Sequence, residues 1–174
     1  MSIFYANRYF DRFEDVTPDI LNKEGVKFLM CDLDNTLKVR RDFEPEEALV
    51  DWVSACKKAG VYIIVVSNNM KAKKVQKFCE KIGVDCIWSA KKPMSKELTA
   101  AMKERGFSKE ETVMMGDKWS TDVLAAKFAG VRVWKVEHRR GILSDFEKYT
   151  KKTDFKRRKV IRKAAKKEVK NAKK

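Results

Sequence analysis

Two aspartates, Asp32 and Asp34, end the apolar run of VKFLMCDLDNTLKVR, residues 26–40. Carboxylates this close repel each other and are costly to desolvate, so folding alone gives little reason to end a buried-looking strand on them. Other polar groups follow apolar runs in the same way: Ser67-Asn68-Asn69, Lys91-Lys92-Pro93, and Gly116-Asp117 followed by Thr121-Asp122. Brought to one rim, three or four carboxylates, a hydroxyl and a lysine make a metal-assisted phosphate site. The carboxylates suit a hard cation such as Mg²⁺, and cation and lysine together neutralise phosphoryl oxygens. One aspartate can then attack phosphorus while its partner two residues on protonates the leaving oxygen.

These groups meet only if the fold carries them to a common edge. Apolar, β-rich runs at residues 26–31, 61–66, 86–88, 112–115 and 131–136 alternate with amphipathic stretches. The stretches predict helices over 46–59 after Pro45, 71–82 before Gly83, 96–105 between Ser95 and Gly106, and 121–129 before Gly130. Proline suits the first helical turn and glycine the left-handed residue past the end. Strands alternating with helices of this length imply βαβ units: an α/β fold with a central parallel sheet and helices on both faces. In open sheets of this kind ligands bind beyond the carboxyl ends of the strands, and the polar groups fall there.

Composition narrows the class further. A chain of 174 residues that is 44% hydrophobic can bury one sizeable core. It carries no repeat and no Gly/Ser linker. No run approaches the eighteen apolar residues of a membrane span, and MSIFYANRYFDRF lacks the apolar core of a secretory signal, so the expected place is the cytosol. Cys31, Cys56, Cys79 and Cys86 show no C-x-x-C spacing and read as reduced core thiols. The net charge of +15 is uneven: residues 151–174 hold thirteen Lys or Arg against Asp154 and Glu168, a net +11, which leaves +4 for residues 1–150.

DLDNT, SNN, KP and GDxxxTD, in this order and each after a strand, resemble the four motifs of the haloacid dehalogenase superfamily of phosphatases. The leader DVTPDILNKEGVKFLMCDLDNTL, then VVSNN, KKPMSK and GDKWSTDVLAAKFAG, resemble its YqeG branch. That branch is the capless subclass IIIA, related to mitochondrial phosphatidylglycerophosphatase. The likeness covers about residues 10–137. It implies a Rossmannoid three-layer sandwich without a large cap domain, and indeed only residues 38–60 separate the first two strands. It makes Asp32 the nucleophile that becomes an aspartyl-phosphate and Asp34 the general acid and base. Ser67 and Asn68 would bind substrate phosphate, and Lys92, chosen over Lys91 because it directly precedes the proline, would bridge phosphate and nucleophile. Asp32, Asp117 and the main-chain carbonyl of Asp34 would hold Mg²⁺, with Thr36 and Asp122 in support. Lys118, Trp119 and Ser120 stand where relatives carry Gln-Leu-Leu, a change that bears on substrate preference.

Singly, each feature has a plainer reading. Asp32 and Asp34 could form a turn, Asp122 could simply suit a helix N-terminus, Cys31 could pack, and His138 has no companion ligand. The ends carry a separate question. Ile3-Phe4-Tyr5, Tyr9-Phe10 and Phe13 recur at roughly helical spacing beside Arg8 and Arg12. They suggest an aromatic helical arm over residues 1–25, either an interfacial element or a cap on the sheet. A phosphatase domain over 26–150 and a basic helical tail over 151–174 would follow. Such a tail is drawn to anionic lipid at the inner face of a membrane, or is solvated, and it would also bind nucleic acid without sequence preference. The leading expectation is a Mg²⁺-dependent hydrolase of phosphomonoesters, lipid-linked and phosphatidylglycerophosphate-like. The alternatives are a sugar phosphate or nucleic-acid end as substrate, or a basic adaptor that binds lipid or nucleic acid.

Overall fold

In the computed structural model, which describes residues 5–137, six parallel strands form one sheet. They are β1 (Arg8–Phe10), β2 (Phe28–Cys31), β3 (Tyr62–Val66), β4 (Asp85–Ile87), β5 (Thr112–Gly116) and β6 (Arg132–Val136). The order across the sheet is β1-β6-β5-β2-β3-β4. The central strands FLMC and TVMMG are buried along their whole length, as parallel strands covered on both faces must be. From β2 the chain runs outward through β3 and β4, then crosses back to β5 on the other side. The strand order therefore reverses around the end of β2, where α/β sheets open a crevice.

Helices α1 (Pro18–Lys23), α2 (Glu47–Lys58), α3 (Ala72–Lys81), α4 (Lys96–Arg105) and α5 (Leu124–Ala129) complete the three layers. One core face joins Leu29, Cys31, Val113 and Trp134 to Trp52 and Val53 of α2 and Val75 and Phe78 of α3. The other joins Met30, Ile64, Met114 and Val133 to Leu98 and Met102 of α4 and to the alanines of α5. Alternation along each strand sends successive side chains to opposite faces, which is why Leu29 and Met30 fall in different clusters. The α4 and α5 helices end on left-handed Gly106 and Gly130, both at φ 73°. All four cysteines are free, and Cys31, Cys56 and Cys79 are buried. Burial pushes the Cys56 thiol up to about 12, so these residues pack as neutral side chains. No helix among the described residues is long and apolar enough to cross a membrane.

Expectation and structure part company at the N-terminus. Arg8–Phe10 is an edge strand paired with β6, not part of a helical arm. Its aromatics pack on the sheet and its helices: Phe10 lies 5.4 Å from Trp134 and Phe13 5.2 Å from Trp52. The Trp52 indole N–H donates to the Val16 carbonyl at 2.8 Å, tying the leader to α2. The helical spacing of these aromatics does not mark a helix, because the bulky side chains serve two faces of one edge strand and the turn beyond it. Residues 8–25 thus belong to the sheet domain. Ile3, Phe4, His138 and the basic tail over 151–174 lie outside the described residues.

Candidate active site

The ends of β2, β3 and β5 open onto a cleft of about 410 Å³. Asp32, directly after β2, is buried with its Oδ1 accepting from Lys92 Nζ at 2.6 Å. Lys92 arrives on the loop after β4 and its Nζ also meets Asp122 Oδ1 at 2.7 Å and donates to the Val66 carbonyl at 2.6 Å. Thr36 Oγ1 lies 3.2 Å from Asp32 Oδ2 and 3.3 Å from Asp117 Oδ1, so its single proton serves one carboxylate at a time. Asp32, Asp117 and Asp122, all buried, offer oxygens within 4.8 Å of one another.

Electrostatics sets this inner group apart. Burial, reinforced by Asp122 and Asp117 and opposed by Lys92, pushes the Asp32 carboxyl up to about 7. Burial alone would lower the Lys92 ammonium, but Asp122 and Asp32 outweigh it and hold the group well above its usual range. Three buried carboxylates against one lysine leave net negative charge in a site of low polarity, the donor set a hard divalent cation relieves. The residues present fit such an ion.

Local geometry explains the sequence around Asp122. A Cβ on Gly116 would come within 2.5 Å of the Asp122 side chain, so glycine lets that carboxylate lie against the end of β5. Residues Trp119–Val123 form a π-helical turn rather than the first turn of the helix expected over 121–129. Asp122 Oδ2 accepts from the Lys118 amide at 2.9 Å, an N-terminal bond that closes the widened turn back on its own start. Such π turns recur at functional sites.

The outer part of the cleft is built from loops. Asp34 is half-buried; its Oδ1 accepts from Lys38 Nζ at 2.6 Å and its Oδ2 from the Asn69 amide at 2.9 Å. Ser67 is buried, with its hydroxyl oxygen accepting from the Asn69 main chain at 3.1 Å. The Asn68 amide is committed to the Lys92 main chain, accepting from its N–H at 2.7 Å and donating to its carbonyl at 2.8 Å. That places Asn68 at the cleft wall as the fastener of the lysine loop. Lys38 and Phe43 did not emerge from the sequence, where the four-residue spacing of Asp34 and Lys38 was the one available signal; Asn69 was placed at the rim with its motif, but not as the partner of Asp34. Asn35, Arg41, Ser89 and Lys91, the non-glycine residues with positive φ among the described residues, all sit on these loops.

Residues 8–136 match the family model of the haloacid dehalogenase-like hydrolases. The chain belongs to that family. Within the family it is 32% identical over 127 residues to the probable phosphatase YqeG of Bacillus subtilis, which covers 73% of each chain. Two solved structures share the fold. The cobalt-bound deoxy-D-mannose-octulosonate 8-phosphate phosphatase of Haemophilus influenzae aligns at TM-score 0.52 and 18% identity, over 65% of this chain and 69% of that one. A hypothetical protein of Xanthomonas campestris aligns at TM-score 0.53 and 18% identity, over 73% and 72%. No large cap is present among the described residues, in keeping with the uncapped form of this hydrolase fold.

Proposed function

We propose that this chain is a Mg²⁺-dependent phosphomonoesterase that works through an aspartyl-phosphate on Asp32. The observation that carries the reading is Lys92 Nζ held between Asp32 and Asp122, with Asp117 beside them, at the end of the strand where the sheet order reverses. A carboxylate paired to a buried lysine is pre-aimed, and the same ammonium can neutralise an incoming phosphoryl oxygen. Asp32 attacks phosphorus, the P–O bond to the alcohol breaks, and Asp34 gives the leaving oxygen a proton. Asp34 then takes a proton from water, which attacks phosphorus; the bond to Asp32 breaks and inorganic phosphate leaves. Lys38 and Asn69 hold Asp34 in place for both steps. Ser67 and Lys92 flank the phosphoryl position.

Asp32, Asp117 and the main-chain carbonyl of Asp34 are the groups that would hold Mg²⁺. When bound, the ion supplies charge neutralisation for the phosphoryl oxygens. Thr36, within reach of both Asp32 and Asp117, orients the two carboxylates.

The substrate we favour is a lipid-linked phosphate of the phosphatidylglycerophosphate kind. The open cleft leaves room for a sizeable head group. The +11 charge of residues 151–174 would hold the enzyme near an anionic surface. The test is a panel of phosphatidylglycerophosphate in mixed micelles, a sugar phosphate and a 5′-phosphorylated oligonucleotide, each with Mg²⁺ and with EDTA. Turnover of the lipid with Mg²⁺ and its loss in EDTA are expected. Full turnover in EDTA would remove the metal, preference for another member would change the substrate, and inertness toward all would leave a binding adaptor.

A further inference from the structure

The outer half of the cleft is far more cationic than hydrolysis of a phosphomonoester requires. At the inner end Lys92 is balanced by Asp32 and Asp122, and at the middle Asp34 is balanced by buried Lys38. The cleft lining also carries Arg40, Arg41, Lys71 and Lys118, and Asp32 and Asp34 are its carboxylates among the described residues. We propose that Arg41 and Lys71, with Arg40 beside them, form a subsite for a second anionic group on the substrate, a carboxylate or a phosphodiester at the far end from the scissile phosphate. This rests on the inner cleft being a phosphomonoesterase site.

The arginines stand on a loop that is built rather than slack. The Asn35 amide donates to the Lys38 carbonyl at 2.7 Å, and the Arg40 amide donates to Asn35 Oδ1 at 3.3 Å. Phe43 closes the loop under two cations, Lys38 Nζ at 4.2 Å and Lys74 Nζ at 5.6 Å from its ring centroid. Arg41 itself takes a left-handed backbone, φ 74°, which an arginine adopts only where its surroundings hold it there. Lys71 comes from the loop after β3, anchored by its amide donating to Asn69 Oδ1 at 2.9 Å. A guanidinium forks onto a carboxylate or phosphodiester with two parallel bonds, and fixing the loop beforehand lowers the ordering cost of binding.

The experiment compares three phosphate monoesters of one four-carbon chain, ending in a methyl, a carboxylate or a methyl phosphodiester, with Mg²⁺ present. Wild type should favour the anion-ended compounds by about tenfold in kcat/KM, carried by KM, the size expected of one charge-assisted contact. Arg41→Gly with Lys71→Ala should bring that ratio near one, the glycine also relieving the left-handed backbone, while Arg41→Lys should retain most of it. Equal kcat/KM for the three compounds in wild type, or a ratio unchanged in the double variant, would overturn the subsite and mean that the cations only steer phosphate toward the cleft. Failure to hydrolyse any of the three would instead bring down the phosphomonoesterase reading on which the subsite stands. Offering the diester compound both free and on a lipid tail in neutral micelles identifies the source: preference for the free form names a solute, preference for the micellar form a lipid head group, and equal use of both shows that the subsite reads the diester whatever carries it.

Discussion

At the inner end of the cleft Asp32 and Asp117 follow directly on β2 and β5, Lys92 and Asp122 come from the loop beyond β4 and the turn beyond β5, all four are at most 8% exposed, and Lys92 is shared between Asp32 and Asp122. Arg41 and Lys71 at the outer end ride on loops and face water. Burial makes the inner charges interdependent: removing one leaves the others uncompensated at low dielectric. At the mouth, water screens each cation, so a change there costs only its contact with substrate. Changes at the inner end should therefore reach both stability and chemistry, in a direction set by the sign of the charge removed, whereas the outer end should tune which substrate is taken.

The largest break is Asp32→Asn. Loss of the proposed nucleophile should lower turnover by at least about a thousandfold while the protein stays folded, because the amide is nearly isosteric and relieves repulsion with Asp117 and Asp122. The same variant sharpens the electrostatic argument. With its carboxyl pushed up to about 7, the folded metal-free protein keeps a proton on Asp32 that the unfolded chain has already released. Asp32 thus contributes stability at low pH that is lost as pH rises from about 4 through 7. Melting curves in EDTA across that window should fall more steeply for wild type than for Asp32→Asn; parallel curves would show that Asp32 does not bear the buried charge.

Next comes Lys92→Met, which leaves Asp32 and Asp122 without their shared cation. Stability in urea should drop by about 3–5 kcal/mol, the usual cost of orphaning a buried charge, and Mg²⁺ should recover part of it. A loss no larger than that of an exposed ion pair would erase the distinction between the two ends. A smaller break is Gly116→Ala. Its Cβ would collide with the Asp122 side chain, turning that carboxylate away from Lys92 and lowering turnover by about tenfold to a hundredfold. Activity equal to wild type would mean that Asp122 is not needed to aim the lysine.

Lys38→Met is the mildest, and it probes the boundary between the ends. The variant keeps the stem against Phe43 but removes the partner of Asp34 Oδ1. An alkyl phosphate, whose leaving oxygen needs a proton, should slow by about tenfold, and p-nitrophenyl phosphate, whose leaving group does not, by much less. Equal slowing of both would assign Lys38 to the loop alone.

The same contrast separates what was legible in the residues. Strand-terminal motifs carry the inner site, and their positions follow from local pattern: an apolar run, then a polar group, then a capped helix. Asp32, Ser67, Lys92 and Asp117 could therefore be placed at one rim before any coordinates. The π turn at Trp119–Val123 could not, since its period differs from an α-helix by one residue over a single turn. Lys38 could not either, because a lysine in a loop reads as solvated surface until Phe43 and Asp34 are seen to enclose it.

By itself, the sequence determined the parallel sheet, the order of its helices and the chemical identity of the inner groups, since hydrophobic period and strand-end polarity are local properties of the chain. Only the tertiary structure decided that Arg8–Phe10 closes the sheet as a strand beside β6. It alone brought Lys92 between Asp32, 60 residues away, and Asp122. Those outcomes depend on which distant surface covers an edge or which remote carboxylate neutralises a cation. Contacts of that separation are set by packing the whole core, not by the neighbours of a residue in the chain.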